Sequence, residues 1–227
     1  MKKNTAHFKN DLKKAFIPGM FVVILLAMLS ACRIDSRDPY NPSVTHIFSD
    51  LNADGDIAYI IPQDRFIVSS AVTTGTVLAG IDPVNDDEYR GFLDFDLREV
   101  HGVPYHAEIE SATLEIFIND VSLPYYETVV PLILDLVYFQ PPTLIESDFN
   151  RSIQPPLLSL PLDIWRSDEG TMVAVDVTAF MVEVQNQGYS DFQVRLVLDS
   201  IIATSGLIEI EDNIPETAPM LKVVYHE

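Results

Sequence analysis

Asp50-Leu51-Asn52-Ala53-Asp54-Gly55-Asp56 places four oxygen-bearing side chains at alternate positions of one short segment. Hard oxygen donors at that spacing can wrap a calcium ion, and Gly55 permits the sharp turn such a loop needs. Asp50, Asn52, Asp54 and Asp56 are therefore the candidate metal ligands. The position that needs a bidentate acid is Ile61, so a remote acid such as Asp64 would have to complete the shell. The competing reading is an acidic turn leading into a strand. Asp82, Asp86, Asp87 and Glu88 pose the same choice between a calcium site and a solvated loop. Tyr125, Tyr126, Trp165 and Tyr189 fall in loop-like stretches. Their flat rings could stack on the apolar C–H faces of sugars, which makes them the candidate polysaccharide contacts; otherwise they pack over the rim of the fold. Catalytic motifs are missing: there is no G-x-S-x-G elbow, H-E-x-x-H pair or phosphate loop. His101 and His106 are separated by Gly102 and Pro104, which fits a surface loop better than a metal-binding helix. Carboxylates are abundant, but the sequence singles out no glycosidase-like pair. A non-enzymatic protein is expected.

Cys32 is the only cysteine, and it stands at the end of an apolar run. Lys2, Lys3, Lys9, Lys13 and Lys14 form a positive segment before that run, Ala15–Met28 is almost wholly apolar, and small residues follow. This is the order of a bacterial export signal with an N-terminal signal helix. The run is short for a spanning helix, which needs about 20 apolar residues, and Pro18-Gly19 breaks its start. Leu29-Ser30-Ala31-Cys32 resembles the lipobox of bacterial lipoproteins. The resemblance implies a signal peptide over residues 1–31 and thioether-linked lipid, with palmitate-type chains, on Cys32. The membrane would then be a partner through the lipid, each buried methylene contributing about 0.8 kcal/mol. Arg33, rather than Asp, follows the cysteine, which implies the outer membrane in a cell with two.

The chain carries a net charge of −20, and removal of residues 1–31, with five lysines and one aspartate, makes it −24. Such a chain repels nucleic acid and anionic lipid headgroups. With the one cysteine committed to lipid, no disulfide is available, so packing alone must hold the fold. Residues 32–47 hold Asp38-Pro39 and Asn41-Pro42 and read as a tether, and residues 48–227 as one domain.

Period-two alternation dominates that domain. Ala112, Leu114, Ile116 and Ile118 alternate with Thr113, Glu115, Phe117 and Asn119, and Val130, Leu132, Leu134, Leu136 and Tyr138 repeat the pattern. Phe192, Val194, Leu196 and Leu198, then Leu221, Val223 and Tyr225, do the same. Pro131 predicts an edge or a bulge at the start of its strand, and Phe92, Phe95, Phe117 and Phe192 are assigned to the core or near it. One helix is expected, capped by Thr178 and ended by Gly188. Pro155-Pro156 and Pro161, among other prolines, punctuate loops. Many short strands between proline-rich turns predict an all-β fold, an antiparallel β-sandwich of jelly-roll type with one short helix.

Arg90-Gly91-Phe92-Leu93-Asp94-Phe95-Asp96-Leu97, Ile109-Glu110-Ser111-Ala112-Thr113-Leu114-Glu115-Ile116, Val175-Asp176-Val177-Thr178 and Pro219-Met220-Leu221-Lys222-Val223-Val224-Tyr225 occur in this order. Together they resemble the strands of DNRLRE-domain proteins and the related family 96 carbohydrate-binding modules. The resemblance spans about Asp56 to Tyr225 and implies a jelly-roll fold and polysaccharide binding. Where that family often carries a tryptophan in a middle strand, this chain has Tyr138. The alternative is a structural or assembly protein of the envelope that contacts another protein and has no sugar site.

Overall fold

The computed structural model describes residues 41–98, 102–139 and 143–227; Cys32 and His101 lie outside them. Residues 41–227 form one compact unit. Its strands are β1 (Ser43–Phe48), β2 (Gly55–Ile60), β3 (Arg65–Ser70), β4 (Thr76–Ile81), β5 (Glu88–Asp96) and β6 (Glu108–Ser122), followed by β7 (Val129–Leu136), β8 (Leu158–Trp165), β9 (Thr171–Asp176), β10 (Asp191–Leu198), β11 (Gly206–Glu211) and β12 (Met220–His226). A one-turn helix, α1 (Ala71–Thr74), precedes β4, and α2 (Thr178–Gln187) follows β9.

All pairings are antiparallel. One set runs β1-β12-β6-β9 and the other β5-β10-β7-β8. The first and last strands are neighbours, and the chain crosses between the sets at β5–β6, β6–β7, β8–β9 and β9–β10, while β2–β3 and β7–β8 stay within the second set as antiparallel pairs. The β2–β3 hairpin extends the second set beyond β5. β4 and β11 pair with each other and join β5 to β6, so the ladder is continuous from one set to the other. The fold is an all-β sandwich, as the sequence pattern predicts.

The alternation of β6 places Ala112, Leu114, Ile116 and Ile118 in the core. They meet Phe192, Val194 and Leu196 of β10 and Leu132, Leu134 and Leu136 of β7 in a single apolar cluster. Burying each large apolar side chain contributes about 1.5–3 kcal/mol, so the cluster carries a fold without disulfides. Phe117 faces outward and is half-buried, opposite Met172 of β9. Its odd position in the alternation decides this, and it leaves the core to Phe92, Phe95 and Phe192.

The second set differs from its sequence pattern: every residue of β10 is buried, not one face alone. The β7–β8 connection covers the outer face and brings Val137, Phe139, Leu144 and Phe149 onto Ile57 and Phe92 as a second, smaller core. Gln193 and Arg195, on that outer face, are consequently fully buried.

Four local expectations are corrected. Residues 43–47, read as tether, belong to β1, because Ser43–Phe48 pair with Tyr225–Met220 of β12. β7 is an interior strand, and Pro131 is tolerated near its start because the β10 ladder ends beside it, at Leu132. Pro161 lies within β8 rather than a loop, which an outer strand paired only to β7 permits. Thr178 is not the cap of α2, since Val177 holds that position. Instead the Thr178 hydroxyl accepts the Ala112 amide of β6 (2.9 Å) and donates to Asp176 (2.6 Å). The Thr178 hydroxyl and amide hold Asp176 below the usual carboxylate range. Gly188, at φ +69°, ends the helix as expected.

Candidate functional site

The structure separates the four candidate aromatic residues. Tyr125 and Tyr126 project from the β6–β7 loop, 89% and 90% exposed, with ring centroids 4.9 Å apart and nearly perpendicular. Trp165, read from the sequence as a loop residue, is instead the last residue of β8, paired opposite Val129 of β7, and is half-exposed. The following residue fastens the two segments together. The Arg166 amide donates to the Thr128 carbonyl (2.8 Å), and its guanidinium donates to the Glu127 carbonyl (3.0 Å). Tyr125 and Tyr126, on the β6–β7 loop, and Trp165, at the end of β8, thus stand at the same end of the sandwich. Exposed Ile201 and Ile202 lie in the β10–β11 loop at this end, where the Asp199 amide donates to the Pro131 carbonyl. Two exposed rings on a short, anchored loop and a half-exposed one at a strand end can stack on an apolar ligand face with little loss of backbone freedom.

Tyr189 is not part of this group. It precedes β10, beyond the other end of β7, and stacks on Tyr138 with centroids 4.9 Å apart and planes 20° from parallel. An eight-residue β7 holds the two ends roughly 20 Å apart. Tyr189 lines a depression of about 510 Å³ with Arg98, Tyr105 and Gln185. The Gln185 side chain donates to the Ala107 carbonyl (2.8 Å), and Arg98 is held by Asp96 and Asp191. The sequence marks Tyr189 but not this depression, whose walls come from the ends of β5, α2 and the segment before β6.

The acidic quartet also separates. Asp50 accepts the amide and side-chain nitrogen of Asn52, a turn within the loop itself. Asp54 turns inward and accepts the Asp94 amide (2.7 Å), while Asp56 accepts the Leu78 amide (3.3 Å). The carboxylates address different backbone partners instead of a common ion. Among the described residues, no group of three or more His, Cys, Asp or Glu side chains is placed to hold a metal ion. The quartet therefore does not fit calcium, which takes six to eight oxygens. The second acidic run is also used locally: Asp82 accepts the Val84 amide, and buried Asp87 accepts the Ile61 amide.

What the inward-facing acids form is a buried seam. Asp54, Asp56, Asp94 and Asp212 are each at most 4% exposed. Burial pushes Asp56, Asp94 and Asp212 up to about 6, and burial followed by repulsion from Asp212 pushes Asp54 well above the usual carboxylate range. Asp94 accepts the Gln193 side-chain amide (2.7 Å), and Gln193 accepts the Phe139 amide (2.8 Å). The seam thus continues into the outer layer of β10. Folded carboxyl groups with raised pKa values retain protons that the unfolded chain has released. Their contribution to stability is complete below about pH 4 and is lost as the pH rises through about 6.

Compared with known protein families and with curated proteins, the chain matches none.

Proposed function

We propose that the chain is a lipid-anchored, non-catalytic protein of a bacterial envelope that binds a neutral polysaccharide through Tyr125, Tyr126 and Trp165. The observation that carries this reading is the placement of two exposed aromatic rings and a half-exposed one at one end of a braced sandwich. The resemblance of the Arg90–Leu97 and Ile109–Ile116 strands to family 96 carbohydrate-binding modules points the same way. Charge selects the ligand class. The body without its signal carries −24, Glu127, Asp163 and Asp168 lie within three residues of one or another of the rings in the chain, and Arg166 is occupied by backbone carbonyls. A uronate chain would be repelled, whereas an uncharged sugar face stacks without penalty.

Native electrophoresis of the full chain in detergent, through gels containing dissolved polysaccharide, tests the reading. A neutral β-glucan is expected to slow it, and alginate is not. Joint Tyr125→Ala and Tyr126→Ala substitution should weaken the retardation roughly tenfold or more. Equal mobility in every gel would refute polysaccharide binding.

The anchor is placed at Cys32, on the outer membrane in a cell with two. A radioactive fatty acid should label the parent protein and leave Cys32→Ser unlabelled; an unlabelled parent would remove the anchor from the proposal. The alternative of an envelope assembly protein has one observation in its favour. Among the described residues β3 pairs with β2 alone, and its Ile67 and Val68 are 38% and 41% exposed, which leaves an edge that another strand could extend.

A further inference from the structure

Asp54 lies in the turn between β1 and β2, and Asp212 directly follows β11. They come from opposite ends of the described chain and are 1% and 4% exposed. One oxygen of each is accounted for: Asp54 Oδ1 accepts the Asp94 amide (2.7 Å) and Asp212 Oδ1 accepts the Ser49 hydroxyl (3.1 Å). The other two, Asp54 Oδ2 and Asp212 Oδ2, are buried without a donor, although the two side chains lie within hydrogen-bonding reach of each other. The charged groups that bear on the pair are Asp50 in the β1–β2 turn and Glu211 on β11, while Asp94 on β5 contributes its backbone amide and Ser49 its hydroxyl. Both charged groups are acids, and among the described residues no side-chain cation bears on the pair.

Two buried carboxylates within reach of each other are costly when both are ionised. A cation or a proton would relieve them. A calcium ion needs several more oxygens, and among the described residues no third acid is placed to contribute. A proton needs only the two oxygens already present, since a carboxyl O–H donating to a carboxylate is among the strong hydrogen bonds.

We propose that Asp54 and Asp212 share one proton between their Oδ2 atoms, forming a latch that holds the segment after β11 against the β1–β2 turn. The backbone gives the latch its reach. The Asp212 amide donates to the Gly75 carbonyl and the Ser49 amide to the Pro219 carbonyl, each at 3.0 Å, so both ends of the 212–219 segment are fastened beside the pair. Deprotonation sends the shared proton to solvent and leaves two like charges in contact. Parting of the 212–219 segment from the turn then relieves the repulsion. Ser49 and Asp50 also line an open cavity of about 570 Å³, so the latch stands directly behind an accessible wall.

Thermal melts of the full chain in detergent at pH 5 and pH 8 test the latch. The parent protein should melt lower at pH 8. Asp54→Asn keeps an oxygen for the Asp94 amide and supplies a permanent N–H donor to Asp212. It should show a smaller drop and melt roughly 3 °C or more above the parent at pH 8. Asp212→Asn should behave alike, and Asp56 and Asp94 account for the drop that remains. Carbon-13 titration of the parent's aspartate carboxyl groups reads the pair without mutation and should find one of the two still protonated at pH 7. Both carboxyls ionised at pH 7, or an unchanged drop in both variants, would overturn the proposal. So would a rise in the parent's melting temperature at pH 8 on adding calcium chloride, reversed by EDTA, because the pair would then hold a cation.

Discussion

Arg195→Ala is expected to lower stability by about 3–5 kcal/mol and the melting temperature by roughly 10 °C. Arg195 is fully buried in the middle of β10. Its guanidinium donates to Asp135 Oδ2 (2.9 Å), to the Asp148 carbonyl (2.9 Å) and to the Gln154 carbonyl (3.2 Å). Arg151 and the Ser159 hydroxyl bond the other oxygen of Asp135. One side chain therefore fastens β10 to β7 and to the segment that covers them. Its removal leaves the buried Asp135 with Arg151 and Ser159 on one oxygen only, opens a void beside the other, and takes the donor from two carbonyls. A guanidinium also remains charged where an amine could neutralise, so Arg195→Lys should recover only part of the loss. Arg98→Ala is the control: Arg98 also joins two aspartates but is 65% exposed and solvent-screened, so its loss should leave the melting temperature nearly unchanged. Thermal melts of both variants check this. Equal, small effects would mean that the Arg195 network does not support the fold.

Gly80→Ala should be comparably damaging, at about 3–5 kcal/mol, for a backbone reason. Gly80 on β4 has φ +124°, and a Cβ there would lie 2.1 Å from the Gly206 carbonyl oxygen of β11. That oxygen is main chain in the neighbouring strand, so no rotamer change relieves the contact. β4 and β11 must separate, and they are the pair that carries the ladder from one strand set to the other. Gly170 supplies the comparison. It also has positive φ, at +73°, but nothing lies within 4 Å of its added Cβ, so Gly170→Ala should cost only about 1 kcal/mol. Urea unfolding of the two variants separates a requirement for space from one for conformation. Similar losses at both positions would contradict the close-approach argument.

The parts of this fold that are legible in the sequence are those governed by local periodicity. β6, β10 and β12 announce themselves because their inward residues alternate without interruption, and Gly188 marks the end of α2 by its own conformational freedom. β8 is hidden because Pro155-Pro156 and Pro161 resemble loop punctuation, and only its pairing to β7 shows that the outer position tolerates them. β1 is short and partly polar, and Thr45 and Ile47 become buried only when β12 arrives from the far end of the chain. Arg195 illustrates the same limit. Alternation correctly places it on the outer face, but nothing local reveals that the β7–β8 connection folds over that face. The candidate site divides likewise. Exposure of Tyr125 and Tyr126 follows from their loop, whereas the stacking of Tyr189 on Tyr138 depends on a contact between distant segments. In the acidic loop, the spacing suggests a common ion, yet strand geometry sends Asp54 and Asp56 to separate amides. Asp212, which completes the buried pair, sits in no motif at all.

Trp165 is the chain's only tryptophan, so its fluorescence reports on the proposed sugar-binding end without any labelling. Titration of the full chain with oligosaccharides cut from a neutral glycan should quench or blue-shift that emission along a saturable curve, while uronate oligomers leave it unchanged. Emission that stays constant through every neutral glycan, or that responds only to uronates, would contradict the account.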